Sequence, residues 1–506
     1  MSGDSYADAI ERLNSLQSNA AVLAAARAAG PTLNPNAIKE MNEFVERIGI
    51  TPEDLNALNV IHITGTKGKG STSAFTDSIL RTAKPGLKVG LYTSPHLVAV
   101  RERIRVGGRP LSEEEFAKFF FEVWNKLEEN PRRTEGFPEK PNYFRYLTLM
   151  AFHAFKALKV DATILEVGIG GMGDSTNVVP KPIVTGITAL GYDHVAVLGG
   201  TIEAIAGQKA GIYKEGVPAL SVGQRDGLEK ILSDRAIEVK ASEFRVAQEP
   251  SNLKDIKLGL AGHHQVQNAS LAAEMARVFL QKTAANEEPS YSEPLTTLPE
   301  PFVRGLEATS WPGRCQTVQD PTNPTTWYLD GAHTAESLKC CVEWFVTPGV
   351  GLPKSGERPL RVLIFNCTSG RSGEAFLKTI MEETQKQLKL SESGEDAKTF
   401  FDQVIFCSNV TYVDGHFKGD LTSVAISTAT HTGPTTQDEL KTAWSTLVPG
   451  FPEEAVYSLP SVEHAIRKVH EFSSSRQTSV LVTGSLHLVG GVIEVAGLSS
   501  IALGNL

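Results

Sequence analysis

Residues 61–71 read IHITGTKGKGS, a β-branched apolar run that empties into a loop holding three glycines and two lysines. The residues leading in, NVIHIT, have strand composition, and those leading out, STSAFTDSILRTA, carry the apolar spacing of a helix. A strand-to-helix turn of this kind aims backbone N–H groups and the positive end of a helix dipole at one point. Gly65, Gly68 and Gly70 let the main chain close around oxygens, and Lys69 brings a cation to β/γ phosphates. The loop therefore predicts a phosphate cradle built from Gly68, Lys69, Gly70 and Ser71. Its spacing departs from the usual Walker pattern, where lysine directly precedes Ser/Thr; here Gly70 stands between Lys69 and Ser71.

Around this turn the chain alternates between strand-like and helix-like stretches. NVIHIT, LKVGLYT, ATILEVG, PIVTGITAL and PALSV are separated by helical patterns at about 71–83, 112–128, 143–158 and 201–214. Such alternation predicts βαβ units and a mostly parallel sheet. The pattern restarts after about residue 325 with TTWYLDG, LRVLIFNCT, FDQVIFCSN and SVLVTGS. The expected fold class is α/β: a P-loop ATPase-like domain over 1–310 and a smaller Rossmann-like domain over 311–506. The proline- and glutamate-rich stretch 282–302 reads as an exposed connector, and 129–142, 387–399 and 409–438 read as surface insertions.

Charge and cysteine content narrow the partners. A formal charge of −9, from 49 basic and 58 acidic residues, argues against nucleic acid or an anionic membrane, yet leaves room for a local basic pocket. The five cysteines, Cys315, Cys340, Cys341, Cys367 and Cys407, show no CxxC spacing and suit a reducing compartment better than zinc or a disulfide framework. The most apolar run, VLVTGSLHLVGGVIEVAGL, is broken by His487, Glu494 and glycines, so no membrane span is expected. The N-terminus has neither signal nor transit character, which makes the cytoplasm the expected compartment, with a mitochondrial isoform also compatible.

Beyond the loop, several residues suggest chemistry. Glu166 ends the strand ATILE, at the edge where open α/β sheets bind ligands, and a carboxylate there suits Mg²⁺ or satisfies loop amides. Taken alone, Ser94 in TSPH is a turn residue, His194 in GYDH a surface or hydrogen-bonded histidine, and Lys209 a solvated helix residue. Arg314 in WPGR can meet phosphate oxygens through two parallel bonds, and Asp330, after a strand, can accept from ribose or adenine.

GTKGKGS resembles the GTxGKG[ST] loop of the Mur ligase superfamily, and of the folylpolyglutamate synthases in particular. LYTSPHLVAVRERIRVGGRPLS (91–112), LEVGIGGMGDSTNVV (165–179), GYDHVAVLGGTIEAIAGQKAGIYK (191–214), WPGRCQ (311–316) and YLDGAHT (328–334) are similar to that family's blocks, in its order. SYADAIERLNSLQSN, near the start, is similar to its eukaryotic members. The resemblance implies a central ATP-binding domain with a folate-binding loop over 1–310 and a glutamate-ligase domain over 311–506.

It also implies roles. Gly68, Lys69, Gly70, Ser71, Arg314 and Asp330 would bind ATP; Ser94, Glu166, His194 and Lys209 would hold magnesium, with Lys209 carbamylated for a second ion. Lys69, His194 and Lys209 would be the catalytic set, Arg103 would contact folate, and His333 would lie near the incoming glutamate. On residues alone, Arg103 could equally pair with Glu102 or Glu113. The implied activity is ATP-dependent addition of L-glutamate to the γ-carboxylate of a folate through an acyl phosphate. The implied cofactors are ATP and Mg²⁺, with room for a monovalent cation; folate and L-glutamate would be the partners of a monomer. Two departures stand out: Met172 where the family commonly has arginine, and Gln208 where it commonly has glutamate. They motivate one alternative, a catalytically impaired nucleotide-binding homologue. Dihydrofolate synthase, on the same scaffold, is the other.

Overall fold

The computed structural model describes residues 4–17, 34–225, 227–283, 294–354, 357–367, 372–414, 420, 435–474 and 476–504. The chain forms two compact units. The first holds Met1–His96, Arg101–Gly259 and Gln265–Ser310; the second holds Leu97–Val100, Leu260–His264 and Trp311–Leu506.

The first unit is built on an eight-stranded sheet. In chain order its strands are β1 (Val60–Thr64), β2 (Val89–Tyr92), β3 (Ile104–Val106), β4 (Arg109–Pro110), β5 (Ala162–Glu166), β6 (Val184–Ile187), β7 (Pro218–Ser221) and β8 (Glu243–Val246). Their spatial order is β4-β3-β2-β5-β1-β6-β7-β8. All pairs are parallel except β2/β3 and β3/β4. β1 is buried along its whole length, as expected for a β-branched run between neighbours on both sides. Its register pairs Ile63 with Glu166, so the phosphate loop and that carboxylate leave the same sheet edge side by side.

The second unit has a six-stranded sheet from β9 (Gln316–Gln319), β10 (Thr325–Leu329), β11 (Leu360–Phe365), β12 (Gln403–Cys407), β13 (Val456–Leu459) and β14 (Thr478–Thr483). The order is β13-β12-β11-β14-β10-β9, parallel except for β9 against β10. Successive side chains serve opposite faces: Tyr328, Leu363, Phe365 and Leu481 belong to one core cluster, and Trp327, Leu329, Val362, Ile364 and Val480 to another. Both faces are apolar, as in a sheet covered on each side by helices.

Mixed α/β units with mostly parallel sheets agree with the expected fold class, but several local expectations need correction. The helix expected over 201–214 runs only Ile202–Ala210. Beyond it the bonds tighten to i→i−3, with Gly211, Ile212 and Tyr213 N–H donating to Gln208, Lys209 and Ala210 O, and the Gly211 carbonyl accepts from Asn177 Nδ2 at 3.1 Å. The connector read over 282–302 is not exposed at its far end. Residues 284–293 lie outside the described residues, but Glu300–Glu307 is a helix with Phe302, Gly305 and Leu306 buried. Its proline and glutamates masked an i, i+3, i+4 apolar stripe, which docks where Ser78 Oγ donates to Gly305 O at 2.7 Å. The segment 387–399 is mostly exposed, as expected, but it finishes the helix Gly373–Leu390 and carries Glu395 back to the buried guanidinium of Arg361 at 2.5 Å. Most of 409–438 lies outside the described residues. The short strands β3, β4, β8, β9 and β13 were not expected; they are brief or partly exposed and lack the buried run that marks the others.

Candidate active site

The phosphate loop begins where β1 ends and the helix Lys69–Ala83 begins. Gly68, the residue before the helix, is left-handed at φ 89°, and a Cβ there would fall 2.1 Å from Asn268 Oδ1. Only glycine fits. The Thr66 and Lys67 N–H groups both donate to Ala189 O, at 3.0 and 3.1 Å, which ties the first half of the loop to the chain after β6. Thr72 N–H is bonded to Gly68 O, so the N–H groups just before it occupy the open first turn of the helix, the position suited to an anion.

Beneath the loop lies a buried polar shelf. Gln265 Nε2 donates to Ser71 Oγ at 3.3 Å, and Asn268 Nδ2 donates to Gln265 Oε1 at 2.9 Å. Both residues lie on the helix Gln265–Thr283. Sequence reasoning passed over them; the signal available was a pair of amides three residues apart, HHQVQNA, opening an otherwise apolar helix.

Lys69 Nζ donates to Gly65 O at 3.1 Å, and Lys209 Nζ, on the helix Ile202–Ala210, donates to the same oxygen at 2.7 Å. Lys209 is buried rather than solvated. Burial, reinforced by the charge of Lys69, lowers its pKa from the ordinary 10.5 to about 7. Its field also includes Asp193 and Asp174.

Glu166 is buried, and its Oε2 accepts the Ser94 N–H at 2.9 Å, so this carboxylate and the Ser94 residue are neighbours. His194 opens the short helix Val195–Leu198 with a left-handed φ of 50°. Its side chain is half exposed, with Nε2 3.9 Å from Asp193 Oδ1. Burial holds its pKa below the usual 6.5, with Lys69, Lys209 and Lys67 pushing the same way and Asp193 opposing. The imidazole is thus neutral at pH 7, able to offer a lone pair.

The loop after Glu166 is shaped by Asp174. Its Oδ2 accepts the Gly168 and Ile169 N–H groups at 3.0 and 3.2 Å, and its Oδ1 accepts Thr176 N–H and Oγ1–H at 3.0 and 2.6 Å. The two departures from the family pattern meet each other here: Met172 N–H donates to Gln208 O at 2.8 Å. That contact uses main-chain atoms only, so neither side chain is needed to make it.

Arg103 is buried. Its Nε donates to His96 Nδ1 at 2.9 Å and its guanidinium lies 5.5 Å from the Tyr143 ring centroid.

In the second unit Asp330 follows β10 and is buried. Oδ2 accepts Cys315 N–H at 2.8 Å and Oδ1 accepts Ala332 N–H at 2.9 Å. Cys315 reaches this geometry with φ 43°, left-handed for a residue other than glycine. Arg314, half-buried, donates through Nη1 to Gly313 O at 3.1 Å. His333 Nδ1 is 2.9 Å from Gly331 O, two residues back along the same turn. The structure thus gathers Gly68, Lys69, Gly70, Ser71, Ser94, Glu166, His194 and Lys209 on the first unit, and Arg314, Asp330 and His333 on the second.

Comparison with known proteins adds the family. Residues 63–220 match the Mur ligase middle domain, and 314–495 match the C-terminal domain of dihydrofolate synthetase. Folylpolyglutamate synthase of Candida albicans is 40% identical over 97% of this chain and 96% of its own length. That of Neurospora crassa is 40% identical over 98% and 92%. Among solved structures, Mycobacterium tuberculosis folylpolyglutamate synthase complexed with ADP and AMPPCP superposes with a TM-score of 0.65 at 22% identity, over 91% of this chain and 95% of that one. E. coli FolC in complex with DHPP and ADP gives a TM-score of 0.65 at 24% identity, over 98% of both chains.

Proposed function

Because the chain belongs to the folylpolyglutamate synthase family, we infer that it is an ATP-dependent ligase that adds L-glutamate to the γ-carboxylate of folates. The feature that carries this reading at residue level is the meeting of Lys69 and Lys209 on the Gly65 carbonyl, at the sheet edge that also presents Glu166. Residues 1–310 would then bind ATP and folate, and 311–506 would serve as the glutamate-ligase domain. The five cysteines, which show no CxxC spacing, suit a reducing compartment such as the cytoplasm.

The donor set fits magnesium. Among the described residues no group of three or more His, Cys, Asp or Glu could hold a metal ion by itself. Mg²⁺ is commonly held by one or two carboxylates together with substrate phosphates, and the adjacent Glu166 and Ser94 supply a carboxylate and a hydroxyl for that arrangement. His194 would add a neutral nitrogen. Lys209, with its pKa near 7, has the neutral amine needed to attack CO₂, releasing a proton and leaving an anionic carbamate as a further oxygen ligand. The bound metal would supply positive charge to the phosphate oxygens.

The chain's own groups then act as follows. N–H groups in the first turn of the loop helix, together with Lys69, hold the β- and γ-phosphates and offset the repulsion between two anions. A folate γ-carboxylate oxygen bonds to the γ-phosphorus as the bond to ADP breaks, giving an acyl phosphate. The glutamate α-amine then attacks the acyl carbon, phosphate leaves with that oxygen, and the amine loses its proton. Arg314 and Asp330 would serve ATP from the second unit, Arg103 the folate, and His333 the incoming glutamate.

Incubation with ATP, Mg²⁺, tetrahydrofolate and labelled glutamate should give products that grow by one glutamyl unit at a time in the mass spectrum. A parallel arm with dihydropteroate tests the dihydrofolate synthase alternative, which the C-terminal family match favours as a second activity. ADP release indifferent to folate plus glutamate would instead indicate a nucleotide-binding homologue without ligase turnover.

A further inference from the structure

Two of the residues assigned to the metal sit on separate segments of the first unit, Glu166 at the end of β5 and Lys209 on the helix Ile202–Ala210. Groups that serve one ion need their spacing held to about 0.5 Å. The segment after Glu166 does this with its main chain. Near its start, Gly168 and Ile169 N–H are fixed by Asp174. Further on, Met172 N–H donates to Gln208 O at 2.8 Å, just before Lys209. Just beyond Lys209, Gly211 O accepts from Asn177 Nδ2 at 3.1 Å, and the same nitrogen donates to Met172 O at 3.1 Å. Lys209 is thus bracketed: position 208 is tied to Met172 directly, and position 211 is tied to it through one amide.

The two segments meet at main-chain distance. A Cβ at Gly171 would fall 2.8 Å from Lys209 O, and one at Gly211 would fall 2.5 Å from Met172 Cβ. Asn177 suits the bridge because its NH₂ carries two donors for two carbonyls. It is buried in the short 3₁₀ turn Ser175–Val178, and its own carbonyl accepts from Lys214 Nζ at 3.1 Å. Its Oδ1 is buried and has no hydrogen-bond partner among the described residues. What the side chain contributes is therefore its two N–H groups.

We propose that Asn177 is a positioning residue for the metal: by joining Met172 to Gly211 it fixes Lys209 relative to Glu166, and the affinity for Mg²⁺ beside the phosphates depends on it. The proposal rests on the ligase reading above. It gives Asn177 no contact with nucleotide or metal; the residue acts through the main chain on either side of Lys209.

The test uses AMPPCP, whose β,γ-bridge is not cleaved. Its affinity is measured by titration calorimetry with and without Mg²⁺ on the full chain as wild type, Asn177→Leu, Gly171→Ala and Thr185→Val, with thermal melts reporting the fold. Thr185→Val is the control: it removes a buried bond of the same unit, from Thr185 Oγ1 to Pro218 O at 3.0 Å, outside the bracket. Mg²⁺ should tighten AMPPCP binding to wild type. Asn177→Leu should weaken the Mg²⁺-dependent binding about tenfold, with the Mg²⁺-free affinity within about twofold of wild type. Gly171→Ala presses on Lys209 O with both amide bonds in place, so it should lose part of the Mg²⁺ gain, and it decides the matter if Asn177→Leu does not fold. Thr185→Val should keep the gain even where its melting temperature falls. A full gain in folded Asn177→Leu, or in Gly171→Ala standing in for it, would overturn the assignment. So would an equal loss in Thr185→Val, a wild type indifferent to Mg²⁺, or a fall in Mg²⁺-free affinity as large as the fall with Mg²⁺. No turnover is read, so a wild type that gains from Mg²⁺ but never extends folate would contradict the activity and not the positioning.

Discussion

Lys69 and Lys209 donate to a single acceptor, the Gly65 carbonyl oxygen, at 3.1 and 2.7 Å. One lysine comes from the loop's own helix and the other from Ile202–Ala210, so the contact locks two elements at the mouth of the phosphate cradle. It also places a buried amine beside a second cation, and that is why Lys209 is held near pKa 7 rather than 10.5. An amine that is ordinarily protonated at neutral pH is here shifted toward its neutral form.

The pH dependence follows from that shift. The neutral fraction of Lys209 rises as pH rises through about 7, whereas an ordinary lysine changes near 10.5. Uptake of labelled bicarbonate, read as a carbamate carbonyl signal by NMR, should therefore grow between pH 6 and pH 8, at about 7. Lys209→Arg should show no signal and lose about a hundredfold in activity. The protonated amine also costs folding free energy, fully below about pH 7 and less as pH climbs from there toward 10.5.

Gly68→Ala should disable the loop. The added carbon would sit 2.1 Å from Asn268 Oδ1 at a left-handed φ of 89°. We expect about 1–3 kcal/mol of lost stability in urea unfolding and at least a tenfold loss, roughly, in ATP affinity by titration.

Gln265→Met keeps the volume and removes the amide that links Ser71 to Asn268. Leaving buried polar atoms unpaired should cost about 1–3 kcal/mol in the melt. ATP KM should rise with it, because the Ser71 hydroxyl loses its anchor.

Asp330→Asn is isosteric yet should not be mild. Both carboxylate oxygens accept main-chain N–H groups, from Cys315 and Ala332. Either amide orientation would point an NH₂ at one of those donors, so a cost of about 1–3 kcal/mol is expected. Calorimetric unfolding of the variant checks the cost, and ATP titration checks whether the turn 313–315 still binds.

The phosphate loop, the parallel strands and Glu166 were legible in the sequence because each follows from a local rule: a buried β-branched run, a glycine at a left-handed turn, a carboxylate at a strand end. Ser94, His194 and Lys209 were legible only by resemblance. Their local signals are those of ordinary turn, surface and helix residues, and the sheet order β2-β5-β1-β6 is what brings their loops to one edge. Gln265 escaped because its partner Ser71 is nearly two hundred residues away, and Asn268 because it acts through Gln265. The helix Glu300–Glu307 escaped because proline and glutamate hid a three-residue apolar stripe.

The central claim is that a folate carboxylate is made electrophilic by phosphoryl transfer at this sheet edge. Tetrahydrofolate bearing heavy oxygen in its γ-carboxylate tests it directly, with mass spectrometry of the released phosphate and of the product. For the first glutamate added, one labelled oxygen should appear in inorganic phosphate and the other stay in the new amide, later additions on unlabelled γ-carboxylates should release none, and Lys69→Ala should abolish both. Glutamate addition with no label in phosphate would contradict the account.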